Sequence, residues 1–437
     1  MATAISVPPV PRQALTPIQR RVWFLSAMGV FLDGYDLFII AVALPLLHVR
    51  FGASPWMQGL IASAAVLGAI AGALLLGRLS DKFGRRNLFV ADLAIFAIST
   101  VLCSLAWSIA SLIVFRFLVG VAVGADYPIA AAYLVEFMPA KVRGRMLVAA
   151  FTFQAFGILA AAAVGIAILL IHPNPGAWRW MLFSGVVPAT ILVILRSGLP
   201  ESEHWTRHAA QRDANEPMAS YWSLFSNKYL RRTILATVPW SLMDVTLYGV
   251  GMFTPTILAA ITFVGLHRTD FRSLDIASSE GTAFLDVFLL VGFALNIWLV
   301  EKWGRIRLQL LGFTGMTIGL LLLFLSTTQR GAGNLALVLA GFAIFNLMVN
   351  FGPNATTYLL PAELFPTQLR GSGHGLAAAA GKVGAAIGIF FLPVLKSAFG
   401  LGTTVAIAAA VSLLGLVITW LFKIETAGHE LDAMPAD

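Results

Sequence analysis

Ionisable side chains interrupt stretches of this sequence that are otherwise apolar. Asp33 and Asp36 lie in GVFLDGYDLFIIAVALPLL, Asp92 follows in the third apolar run, Arg116 and Asp126 share a fourth, and Asp244 and Lys382 come much later. A charged group at bilayer depth costs about 2.5–3.5 kcal/mol on insertion scales, so it faces a partner or a water-filled cavity. Lysine there offers fixed positive charge to an anion, and carboxylates there take up and release protons. Asp33 and Asp36, three apart, fall near one helix face. Arg116 and Asp126, ten apart on one helix, are separated by about 15 Å and cannot pair. Each then needs a partner on another helix, and for Arg116 the candidates are Asp33, Asp36 and Asp92. Trp240, Asp244 and Tyr248 recur every four residues, a slowly drifting stripe on one side of a helix. No nucleophile–base pair or metal-ligand spacing stands out, so we expect no enzyme, no metal and no cofactor.

The elements that position these groups follow from composition. Of 437 residues 59% are hydrophobic and 11% charged, with mean hydropathy +0.85. Soluble domains carry about 25% charged residues, so this is an integral membrane protein, its partner the lipid bilayer. Runs long enough to cross recur at 22–48, 56–79, 88–107, 110–135, 146–171, 177–195, 233–263, 282–300, 308–327, 335–361, 372–395 and 401–422. The predicted fold is all-α, with twelve spans. Placing both termini inside puts 21 of 29 basic residues on the inner side and six outside (Arg50, Arg179, Arg268, Arg272, Arg330, Lys396), with Arg116 and Lys382 interior. The net charge of +8 is this bias, and no nucleic-acid partner is expected. Residues 1–20 lack a compact signal-peptide core, so the first span serves as its own uncleaved signal. Cys103, the only cysteine, leaves no disulfide to form.

Two halves of one design are present. Glu136 to Gly144 reads EFMPAKVRG and Glu363 to Gly371 reads ELFPTQLRG, in register 227 positions apart. The expected domains are an N-terminal half (1–195), a cytoplasmic linker (196–232) with a surface helix, and a C-terminal half (233–437). Shifting Asn354 back by 227 reaches Tyr127, and Lys382 reaches Ala155, beside Gln154. Polar residues at matching depth in related halves are what a central cavity requires. Tyr127, Gln154, Asn354 and Lys382 are therefore expected around one cavity, with Trp240, Asp244 and Tyr248 projecting from the seventh span. His374 reads as a capping or packing residue, and Asp286 falls in the first turns of the eighth span.

GRLSDKFGRR, Gly77 to Arg86, fits G-x-x-x-D-[RK]-x-G-R-[RK], and on it the chain resembles the major facilitator superfamily over its whole length. The resemblance implies two six-helix halves rocking about a midplane site. Gly77, Asp81, Gly84, Arg85 and Arg86 form its conformational motif, where Asp81 beside a helix N-terminus and the arginines latch neighbouring helices. The counterpart EKWGRIR, Glu301 to Arg307, has lost the leading glycine. PESEHW resembles the PESPRW that closes the first half in sugar-porter relatives.

GADYP, the W-x-x-x-D-x-x-x-Y stripe and NFGPN…LPAELFPT…R…HG…GK resemble the phosphate:proton symporter branch. That resemblance implies phosphate contacts for Tyr127, Gln154, Trp240, Asp244, Tyr248 and Asn354, with Lys382 at the same site. It implies proton movement for Asp36 and Asp126 with Arg116, joined by an acidic residue whose nearest candidate is Asp92. Gly34 departs from the Ala of that branch, and DGYD is also similar to the aromatic-acid:proton symporters. Dihydrogen phosphate carries donors as well as acceptors, so Asp244 accepts from it while Lys382 offsets its charge. A bare carboxylate would be repelled by Asp244 unless that group were protonated. The expected function is proton-coupled import of inorganic phosphate by alternating access, with an organic acid or sugar acid as the alternative. The expected setting is a monomer in the bacterial inner membrane.

Overall fold

Hydroxyl caps and prolines start the first helices. Thr16 accepts the amide hydrogen of Gln19, and the Gln19 side chain accepts that of Thr16. Pro17 fills a position with no intrahelical N–H to lose, and α1 (Pro17–Phe51) begins there. Ser54 and Pro55 repeat the device for α2 (Pro55–Phe83). The structure, a computed structural model, describes residues 14–52, 54–211, 220–266, 271–328 and 335–431, with the side chains of 55, 62, 252–286 and 335 set aside. Asp286, Arg268, Arg272 and Arg330 of the sequence reading lie outside the described side chains.

The remaining spans follow in order: α3 (Arg85–Ser104), α4 (Ile109–Phe137), then α5 (Arg143–Phe151) continued by α6 (Phe153–Ile171). The sixth is α7 (Ala177–Ser184) with α8 (Val186–Ser197), and α9 (Glu203–Gln211) is a short linker helix. The second half holds α10 (Leu230–Leu266), α11 (Phe271–Trp303), α12 (Arg305–Thr328), and α13 (Leu335–Phe351) continued by α14 (Pro353–Leu364). In α15 (Arg370–Phe422), Gly400 at φ 79° divides the last two spans. Twelve crossings result, as the hydropathy runs require, and the described residues contain no strand. Cys103 is 1% exposed inside the first half.

Glycine seams set the helix spacing. A Cβ on Gly384 would stand 2.1 Å from the Ser241 carbonyl oxygen, and one on Gly388 2.3 Å from that of Val245. Their absence lays α15 backbone to backbone on α10, which carries Lys382 to the Trp240–Asp244 stripe.

At the linker face the two halves are bound together. Asp81 accepts from the amides of Gly371 (2.9 Å) and Ser372 (2.8 Å) at the start of α15, where the helix dipole favours an anion. Arg85 bonds Asp81 (2.5 Å), Glu136 (3.3 Å) and the Thr367 carbonyl (2.7 Å), while Arg370 reaches across to Glu136 (2.6 Å). Gly77 is where α2 meets α15: a Cβ would sit 2.8 Å from the Gly371 carbonyl oxygen. Gly84 (φ 99°) turns the chain into α3, whose first amides, Arg85 and Arg86, donate to Glu201 of PESEHW at 3.0 and 3.2 Å. Arg86 donates to the Ser197 carbonyl.

The second half repeats this with its own residues. Gly304 (φ 85°) precedes α12, whose Arg305 and Ile306 amides donate to Glu425 at 2.9 and 3.1 Å. Arg305 pairs with Glu301 and Glu363, and Glu301 also accepts the Arg145 amide from the first half at 2.9 Å. Where the leading glycine is lost, the Ile297 carbonyl accepts instead from Arg145 Nε at 3.2 Å. The chain past α15 returns under this face, the His429 carbonyl accepting from Arg143 at 3.2 Å. In the linker, Trp205 donates to the Asp81 carbonyl at 3.0 Å. Tyr221 donates to that of Leu74, and burial pushes its hydroxyl above the ordinary tyrosine range.

Candidate functional site

Lys382 is the centre of the site. It is 8% exposed, and its ammonium lies 4.8 Å from the ring centroid of Tyr127 and 5.6 Å from that of Tyr248. Those rings face it from opposite halves, and no carboxylate among the described residues forms an ion pair with it. Cation–π contact stabilises a desolvated ammonium by about 2 kcal/mol, which leaves most of its charge unanswered. Gln154 Nε2 donates to the Tyr127 hydroxyl at 2.9 Å, so the counterpart of Asn354 in the 227-residue repeat and the neighbour of the Lys382 counterpart are joined by a hydrogen bond.

Asp244 and Trp240 lie beside the same helix turn. Both are buried, and Asp244 Oδ2 has no hydrogen-bond partner. A Cβ on Gly381 would stand 2.6 Å from Trp240 Nε1 and 3.1 Å from Asp244 Oδ2, so glycine before the lysine admits both side chains. Gly34, the departure noted in DGYD, works likewise in the first half: a Cβ would meet the Gln154 carbonyl oxygen at 2.2 Å. Asn354 is less directly placed. Its side chain donates to Asn350 Oδ1 at 2.7 Å, and Asn350 to the Asn346 carbonyl at 2.8 Å.

A cavity opens between the halves, lined by Asp36, Tyr248 and Lys382 with an apolar wall that includes Val66, Val123 and Ile389. Below Tyr127 and Trp240, aromatic rings from both halves close it toward the linker face. Tyr358 stacks on Phe151 (4.6 Å), meets Tyr127 edge-on (6.1 Å) and touches His374 (5.3 Å). The sequence reading missed Tyr358, whose helical spacing from Asn354 is the one signal that would have raised it. His374, fully buried with Nε2 3.0 Å from the Tyr358 carbonyl oxygen, packs as expected.

The acidic groups fall into two sets, each with its own arginine, and Arg116 and Asp126 do not pair. Arg116 bonds Asp36 at 2.5 Å, choosing one of its three candidates. Asp126 and Asp92 belong instead to Arg196, which donates to them at 2.9 and 3.1 Å. The reason is reach, since ten residues of helix hold Arg116 away from Asp126. Arg196 itself is a correction. Read from sequence as the first linker residue, it is fully buried in the last turn of α8, and the polar linker begins after Ser197. Four carboxylates in the spans of one half against Arg116 alone was the imbalance that called for a second cation.

A family model described as "Sugar (and other) transporter" matches residues 22–437. Among curated relatives, a probable inorganic phosphate transporter 1-12 of Oryza sativa subsp. japonica is 30% identical over 94% of this chain and 91% of its own length. A probable inorganic phosphate transporter 1-6 of Arabidopsis thaliana is 29% identical over 94% and 92%. The solved proton:xylose symporter XylE, bound to 6-bromo-6-deoxy-D-glucose, aligns at TM-score 0.79 with 22% identity, covering 95% of this chain and 98% of its own. The two curated relatives are plant proteins, so a bacterial inner membrane gains no support from them.

Proposed function

This chain belongs to the sugar (and other) transporter family of the major facilitator superfamily, and from that premise we propose that it imports inorganic phosphate with protons. The observation that carries the reading is the unpaired, buried Lys382, set between donors of one half and Asp244 of the other. Dihydrogen phosphate meets both needs, its charge answering the ammonium and a P–OH donating to the carboxylate. In this reading Tyr127, Gln154, Trp240, Tyr248 and Asn354 supply hydrogen bonds, Asn354 by releasing Asn350. Asp36, Asp92 and Asp126 carry protons, with Arg116 balancing Asp36 alone. The two six-helix halves rock about this site as a monomer with both termini inside, and the motif at Gly77, Asp81, Gly84, Arg85 and Arg86 latches the inner face. The names of the curated relatives support phosphate.

A second reading, an organic anion, is favoured by one observation: beyond Lys382, Asp36 and Tyr248 the cavity wall is apolar, which an acyl or aromatic body would cover and phosphate would not. Uptake of labelled phosphate into proteoliposomes, with and without an inward proton gradient and with benzoate and gluconate as competitors, separates the two. Gradient-driven phosphate uptake is expected. No phosphate uptake together with counterflow of an organic acid overturns the first reading in favour of the second.

A further inference from the structure

Arg196 sits among more negative charge than it can balance. Its guanidinium donates to Asp126, Asp92 and the Phe89 carbonyl through one nitrogen and to the Leu25 carbonyl through another, and lies 3.4 Å from the centroid of the Phe89 ring. Gly29 makes the room: a Cβ there would fall 2.1 Å from Arg196 Nη2 and 2.6 Å from Asp126 Oδ2. Asp33, buried on α1 one helical turn after Gly29, completes the group. All four side chains are at least nine-tenths buried, and one oxygen of each carboxyl, Oδ2 of Asp33, Asp92 and Asp126, has no hydrogen-bond partner.

We propose that Arg196 is the fixed charge of an enclosed two-proton store formed by Asp33, Asp92 and Asp126. Within the cluster three carboxylates share one guanidinium and none pairs with Lys382, which leaves two negative charges without an ion-pair partner, and an unpaired buried charge costs several kcal/mol. Two protons bring the cluster to neutrality, and the three unpartnered oxygens are where they attach. The proton is favoured over a metal cation because the guanidinium holds the centre of the cluster, and the described residues contain no carboxylate group arranged to hold a metal. The other charged or titratable groups facing the cluster are Lys382 toward Asp33, the hydroxyls of Tyr127 and Tyr358, and Tyr133, whose ring packs on Phe89 beside Arg196. Asp36 is already matched by Arg116 and stands outside the store. Arg196 is thus a positioning residue, setting how many protons the carboxyls hold. The store deepens the proton-coupled reading and rests on it only for its role in transport.

The test uses infrared spectra of the purified protein in liposomes at pH 7, which need no substrate. Wild type is expected to show the C=O absorption of buried protonated carboxyls. Asp33→Asn should halve it, Asp36→Asn should leave it unchanged, and Arg196→Gln should raise it from two carboxyls to three, with Arg196→Lys restoring the wild-type level. Because Asp33 Oδ2 holds no partner, Asp33→Asn keeps the test decisive even where Arg196→Gln fails to fold. Absence of the band in wild type, or a band indifferent to Asp33, Asp92 and Asp126, overturns the store. In transport, Arg196→Gln should retain phosphate counterflow and lose gradient-driven accumulation, and full accumulation would also overturn it. Should wild type carry no phosphate, the spectra still decide on the store, so the two failures are distinct.

Discussion

A lysine buried against two tyrosine rings holds a charge that its own protein does not neutralise. Charge-assisted hydrogen bonds contribute about 1.5–3 kcal/mol, so Lys382→Ala should weaken phosphate binding by roughly 10- to 100-fold. Isothermal titration of the purified protein measures this, and unchanged affinity would remove Lys382 from the site. Asp244→Asn should also impair uptake, since an amide can donate to phosphate where the carboxylate accepted from it. Normal uptake in Asp244→Asn alongside lost binding in Lys382→Ala would leave the anion held by charge alone. Tyr127→Phe is milder. It removes the hydroxyl that Gln154 bonds but keeps the ring beneath the ammonium. A several-fold rise in KM with little change in the maximal rate is the expected kinetic result.

At the scale of elements, the site depends on how closely α15 lies on α10. Gly384→Leu places a side chain where the Ser241 carbonyl stands, and overpacking of this kind costs about 1–3 kcal/mol. A lowered Tm in detergent, with lost uptake, is expected, whereas Gly400→Leu, with nothing within 4 Å of its Cβ, tests backbone strain without crowding. The elements were also what sequence made legible. Twelve apolar runs marked the spans, and the 227-residue repeat brought Tyr127, Gln154 and Lys382 to one depth. Lateral pairing was not legible, because hydropathy says how deep a residue lies and nothing of which helix it faces. Arg196 escaped for a related reason. The apolar run ends at 195, one residue before an arginine that the last turn of α8 keeps buried against Phe89, Asp92 and Asp126.

Across the whole molecule, charge is apportioned between the halves. Above the linker face, the first holds the Arg116 pair, which is matched, and the Arg196 cluster, which is acid-rich, while the second presents Lys382 and Asp244 toward the site. In the proposed cycle the linker-face latch decides which side the cavity meets. Asp81→Ala removes the acceptor of the Gly371 and Ser372 amides, so those amides should exchange hydrogen at least about tenfold faster, as loss of about 1.4 kcal/mol of protection requires. Mass spectrometry of the peptide spanning 367–376 reads this directly. Unchanged exchange would show that Arg85, Glu136 and Arg370 hold the face closed without Asp81.

Cys103 lies 1% exposed within the first half, and no second thiol exists in the chain. A water-borne maleimide should therefore leave the folded protein unmodified, which intact-mass measurement checks. Any pair of cysteines introduced on opposite halves then becomes the sole carrier of spin labels, and the proposed rocking of the bundle becomes a distance distribution recorded in an otherwise native sequence.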